Sequence, residues 1–160
     1  MGFYDDALVC LNGHVINDSA TRKPERNSKF CDKCGAAAIN SCPACNTMIR
    51  GYYYVPGVVG LITREPTPAA YCHECGKPYP WTEDKLKAIQ EAIELSEISA
   101  QEKAEFGINL PDIVADTPRT KVAALKLKVI GEKIGKELWG VVKDIIVEIG
   151  SEAAKKTMGL

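Results

Sequence analysis

Between Cys10 and Cys75 the chain carries a ladder of sulfur and imidazole residues, and no other feature constrains its fold as strongly. The rungs are Cys10-x-x-x-His14, Cys31-x-x-Cys34, Cys42-x-x-Cys45 and Cys72-x-x-Cys75. All seven cysteines fall into these four pairs, and His14 completes the first. Eight ligands are what two tetrahedral zinc ions require, and two cysteines separated by two residues can wrap a tight turn whose amides also face the sulfurs. Gly35 and Gly76, each directly after a second cysteine, allow the positive φ that such turns often need. Pro43 stiffens a third turn.

Other uses of cysteine fit less well. A disulfide framework needs an oxidising compartment. The opening Met1-Gly2-Phe3-Tyr4-Asp5-Asp6 has neither the basic nor the long apolar region of a secretory signal, so a cytoplasmic setting is expected. A redox pair would sit beside a βαβ pattern, whereas the flanks here are short, Gly-rich and strand-like. The expected cofactor is therefore Zn2+, two ions per chain, with iron the alternative at the four-cysteine set because spacing alone does not separate the metals. Taken in order, Cys10, His14, Cys31 and Cys34 form one site and Cys42, Cys45, Cys72 and Cys75 the other. The 16 residues from Val15 to Phe30 and the 26 from Asn46 to Tyr71 then make ribbon arms. An interleaved arrangement, with Cys10 and His14 joined to Cys42 and Cys45, is the alternative. His73, between two cysteines, reads as a surface residue.

Composition changes after Trp81. Every cysteine and tyrosine, both histidines and seven of nine prolines lie at or before it. This implies an α+β chain: a small double zinc ribbon of short antiparallel hairpins over residues 1–81, then a helical domain over residues 82–160. The first part holds eight basic and seven acidic residues, and three-thiolate and four-thiolate zinc sites would add about −1 and −2. It has no general basic excess, which argues against generic nucleic-acid binding. So small a domain buries little apolar core, and loss of metal is expected to unfold it.

Strands are expected at residues 7–11, 14–17, 36–41 and 47–55, with a polar loop over 18–29. Gly51 to Thr63 carries no charge, and it is either ribbon core or an exposed apolar tip that meets a partner. A helix is expected from about Glu83 to Leu95 with Thr82 as its cap, and a second from Ala100 to Phe106 capped by Ser99. A short turn should open at Pro111. Residues 83–116 hold nine acids against three lysines; residues 119–156 hold nine basic residues against five acids. The last block predicts an amphipathic helix over 119–157, either continuous and roughly 55 Å long at 1.5 Å per residue, or broken near Gly131, Gly135 or Gly140. Leu127, Ile130, Ile134, Leu138, Trp139, Val141, Val142, Ile145, Ile146 and Ile149 share one half of its wheel. That face is either buried by the acidic helices folding back on it or used for self-association or docking on a protein partner. A membrane surface is a weaker fit because acids intersperse the lysines, and no stretch is long enough to span a bilayer.

No catalytic set stands out. There is no phosphate loop, no nucleophile signature and no His-Glu-x-x-His. A catalytic zinc keeps one position open, and the ligand count fills both sites, so the chain is not expected to be an enzyme.

The run Cys10-Leu11-Asn12-Gly13-His14-Val15-Ile16, with Phe30-Cys31, Ile49-Arg50-Gly51 and Cys72 through Thr82, resembles an uncharacterised bacterial family of small double zinc-ribbon proteins. Asp116 to Thr120 and Ser151 to Lys156 resemble that family's helical tail. The resemblance implies the fold and the metal and no activity. The expected function is a zinc-dependent interaction or adaptor protein, with ribbons presenting a surface and the C-terminal helix mediating assembly. The alternative is a nucleic-acid-binding regulator that uses Arg22, Lys23, Arg26, Lys29 and Lys33, with Tyr52 to Tyr54 as a stacking surface.

Overall fold

A computed structural model describes residues 1–60 and 66–160. The end of the uncharged arm, Leu61 to Thr63, and the acid Glu65 lie outside the described residues. The chain forms two compact units, Met1–Glu83 and Asp84–Leu160.

The first unit is built from very short strands. β1 (Phe3–Asp6), which the sequence reading did not anticipate, pairs antiparallel with β5 (Arg50–Tyr54). β2 (Leu8–Cys10) lies between β3 (Val15–Asn17) and β4 (Ala38–Ile39). The polar loop contains a single 3-10 turn at Pro24–Arg26. Ala7, Val9, Ile49, Tyr79 and Trp81 form the buried cluster together with Cys42 and Cys72, so two of its seven members are candidate metal ligands. Asp5 is buried and accepts hydrogen bonds from Asp6 N–H, Thr21 N–H and Arg22 Nε. Three donors offset much of what it costs to bury a carboxylate.

Helix α1 (Pro80–Glu94) carries the chain into the second unit. It starts before the expected Glu83 because Pro80 suits a first helical turn. Thr82 is therefore inside the helix and does not cap it; its hydroxyl donates to Ala70 O at 2.9 Å. Ser99 caps α2 (Ala100–Asn109) with a full capping box, its side chain accepting from Glu102 N–H while Glu102 accepts from Ser99 N–H. α3 (Pro111–Val114) follows.

The continuous helix over 119–157 is corrected: the segment is three helices, α4 (Thr120–Gly131), α5 (Lys136–Ile149) and α6 (Glu152–Met158). The first break is at Gly135, whose φ of 93° and ψ of 147° lie where side-chain-bearing residues are strained. At the second, Gly150 is extended and Ser151 caps the new helix by accepting from Ala154 N–H. Leu127, Ile130, Ile134, Val142 and Ile146 are buried, so much of the expected docking face is core. The acidic helices do fold back. Asp112 meets Arg119 at 3.0 Å, Glu105 meets Lys126 at 3.6 Å and Glu102 meets Lys133 at 2.7 Å, one pair on α4 and one just beyond each of its ends. Each is exposed enough to contribute only about 0–1 kcal/mol, so they set register more than stability. Val122, Leu125 and Val129, spaced along one side of α4, remain exposed. No helix among the described residues is long and apolar enough to cross a membrane.

Candidate metal centres

Three of the four knuckles repeat one backbone pattern. Cys31, Cys42 and Cys72 donate their N–H to the carbonyls of Ala36, Thr47 and Lys77, and Gly35, Asn46 and Gly76 donate back to the cysteine carbonyls, all at 2.8–2.9 Å. The residues flanking each turn bridge as well: Phe30 with Ala37, Ser41 with Met48, and Tyr71 with Pro78. The returning donor must be left-handed, with φ of 72° at Gly35, 65° at Asn46 and 70° at Gly76. Asn46 does the work of a glycine here because its short polar side chain tolerates this region. The sequence signal is Asn directly after Cys45, in the place that Gly35 and Gly76 take after Cys34 and Cys75. The first knuckle differs: Cys10 N–H donates to His14 O, Gly13 N–H returns to Cys10 O, and His14 N–H points at the Cys10 sulfur at 3.3 Å.

These turns gather the eight residues into two groups, Cys10, His14, Cys31 and Cys34 in one and Cys42, Cys45, Cys72 and Cys75 in the other. Within each group the ligand atoms lie within 4.8 Å of one another. The grouping is the sequential one and not the interleaved one. Spacing within the groups suits a tetrahedral ion. Metal–sulfur bonds of about 2.3 Å and metal–nitrogen bonds of about 2.0–2.1 Å imply tetrahedral edges of ~3.8 Å between sulfurs and ~3.6 Å from sulfur to nitrogen. The sulfurs stand 3.7 Å apart for Cys10 and Cys34, 3.8 Å for Cys42 and Cys75, and 3.7 Å for Cys45 and Cys72. His14 Nδ1 lies 3.5 Å from the Cys10 sulfur and 3.6 Å from that of Cys31, which makes Nδ1 the nitrogen facing the centre. His73 is exposed and belongs to neither group.

The protein itself prepares the sulfurs unevenly. The backbone N–H of Ala36 draws the Cys34 thiol down to about 6, and the N–H of Cys75 does the same for Cys72, also to about 6. Thr47 lowers Cys45 through side-chain and backbone hydrogen bonds. Burial raises Cys10. Cys75 accepts a lowering hydrogen bond from Lys77 N–H, yet desolvation and the crowding of Cys45, Cys72 and Cys42 together push it up to about 11. The first thiolates of each group thus oppose ionisation of the last, and a divalent cation relieves that opposition by neutralising the group as protons leave.

Tyr79 supports the four-cysteine group, a role the sequence reading did not assign. Its ring is buried, burial holds its hydroxyl in the protonated form, and it hydrogen-bonds to Cys72. Such outer contacts orient ligands and tune their basicity. Tyr79 stacks on Trp81 with ring centres 4.6 Å apart, and Trp81 Nε1 donates to Ala69 O at 2.9 Å.

The basic residues of the ribbon half divide into two sets. Arg22 is committed: Nε bonds the buried Asp5 at 2.7 Å and its guanidinium lies 3.8 Å from the ring centre of Tyr54. Tyr54 also meets Phe3, Tyr53 meets Tyr4, and Arg50 covers Tyr4. Arg22 and the tyrosine run are therefore structural partners of one another. Lys23, Arg26, Lys29 and Lys33 are exposed and make no ion pair among the described residues.

Residues 3–158 match a family described as uncharacterised proteins conserved in bacteria (DUF2321). The chain belongs to this family. The match spans both units, so family membership covers the helical unit as well as the ribbon unit. No curated protein and no solved structure matches the chain.

Proposed function

We propose that this chain is a non-enzymatic zinc-binding interaction protein. Two closed zinc sites make the ribbon unit a scaffold that presents a surface, and the helical unit mediates self-association or docking on a protein partner. The observation that carries the reading is the ligand count: each group already offers four donors at tetrahedral spacing, which leaves no position for water or substrate. The apolar residues Val122, Leu125 and Val129, exposed together on one side of α4, support the second half.

Cobalt substitution tests the scaffold. Tetrahedral cobalt in closed sites keeps its visible spectrum when azide or a small thiol is added; a spectrum that shifts on addition shows an open position and overturns the reading. Light scattering and partner capture on Leu125→Asp, compared with the unchanged chain, test the helical unit. Lost association in a variant with unchanged circular dichroism is expected, and unchanged association removes this α4 face from the account.

A further inference from the structure

The groove beside the three-cysteine, one-histidine group holds side chains that the metal does not use. It encloses about 430 Å3 between Arg26, Ser28, Phe30, Asp32, Lys33 and the ligands His14 and Cys31. A separate hollow of about 280 Å3 shares His14, Val15 and Lys33 with it and is lined also by Gly13 and Pro66. The larger of the two is within the roughly 300–1,000 Å3 of small-ligand sites. Phe30 stands at 62% exposure because its main chain is held by the bridge to Ala37 while its ring is left outside. A single exposed aromatic needs no explanation by itself. This one shares its groove with two cations, Arg26 and Lys33, that make no ion pair among the described residues.

We propose that this groove binds single-stranded nucleic acid, with one base stacked on Phe30 and adjacent phosphates held by Arg26 and Lys33. The inference rests on the reading of the ribbons as a scaffold that presents a binding surface. An aromatic face accepts any unpaired base, whereas a base inside a duplex is already stacked and its face is hidden. Arginine offers phosphate a planar fork and lysine a point charge, so the pair fits a backbone that passes the ring. The groove also lies at the less negative centre, because three thiolates and an imidazole around zinc sum to about −1 and four thiolates to about −2. Asp32, on the groove wall, opposes phosphate and limits affinity. Arg22 and Tyr52 to Tyr54 take no part, since Arg22 is engaged with Asp5, Tyr53 and Tyr54 with Tyr4 and Phe3, and Tyr52 with the Arg22 guanidinium.

The test is fluorescence anisotropy of zinc-loaded, full-length protein with labelled oligothymidylate and oligouridylate of about 12 nucleotides, inside the site sizes known for single-strand binders. Saturable binding at about 50 mM salt that falls steeply as salt rises is expected. Phe30→Ala should weaken it about 5- to 150-fold, the loss of one stacked base. Arg26→Ala should reduce the slope of log affinity against log salt by ~0.7, one single-strand phosphate contact. Asp32→Asn should tighten binding. Zinc content and circular dichroism confirm that each variant is folded. No saturable binding at about 50 mM salt, equal binding by the Phe30→Ala and Arg26→Ala variants, or equal affinity for the matching duplex overturns the proposal. Any of these results leaves the cobalt test of closed sites untouched, so the two readings fail separately.

Discussion

Stripping the metal should unfold residues 1–83 and leave residues 84–160 folded. In the ribbon unit, the buried apolar side chains larger than alanine and outside the cysteines are Val9, Ile49, Tyr79 and Trp81. Burial of two aliphatic and two aromatic groups contributes on the order of 10–15 kcal/mol, an upper figure because the unfolded chain is already partly compact. Each structural zinc contributes about 10–16 kcal/mol in apparent terms at neutral pH, so two sites outweigh that core. The helical unit holds no member of either ligand group and buries Ile89, Ile93, Phe106, Leu127 and Ile146. A Trp139→Phe background makes Trp81 the only tryptophan. In that background, chelation should shift Trp81 emission to that of exposed indole, open the ribbon unit to protease and keep most of the helical circular dichroism. Retention of Trp81 emission and protease resistance in protein shown to be metal-free would refute the reasoning.

Four other outcomes follow from particular contacts. Leu127→Ala empties a fully buried position and should destabilise the helical unit by about 2–5 kcal/mol in urea, with zinc content unchanged. Ser99→Ala removes the capping box and should cost about 1 kcal/mol. The Glu102 carboxyl in that box is held down at about 2, first by Lys133 and then by Ser99. Its stabilising effect is therefore complete above the ordinary value of 4.5 and is lost as pH falls through about 2, so Glu102→Gln should flatten the acid limb of the stability profile there. At saturating zinc, Asp5→Ala leaves Arg22 without its buried partner and should cost about 3–5 kcal/mol, measured by thermal unfolding, with Asp5→Asn milder because it keeps an acceptor.

What could be read from sequence was what local chemistry dictates. Ligand spacing reports metal geometry directly, so all eight residues could be named from sequence, whereas the choice of the sequential over the interleaved grouping came from where the turns bring them together. The Ser99 cap and the Pro111 turn were legible for the same reason, since each depends on residues within a few positions. The helix break was not. Gly131, Gly135 and Gly140 are equal candidates in sequence, yet Gly131 and Gly140 are helical and only Gly135 takes positive φ. The helical wheel does set Leu127 and Ile146, both buried, apart from Val122 and Val129, both exposed, but it also puts Val141 on the apolar half, and Val141 is 52% exposed. Arg22 looked like one more loop cation until its contact with Asp5, seventeen residues away, placed it in the structure of the unit.

Native mass spectrometry of the chain as purified under reducing conditions tests the central claim most directly. The account predicts a mass increment of two zinc ions per chain, falling to one when Cys34 or Cys75 is replaced by Ser, because each residue belongs to a separate group. A single ion in the unchanged protein, or loss of both ions from either substitution, would contradict it.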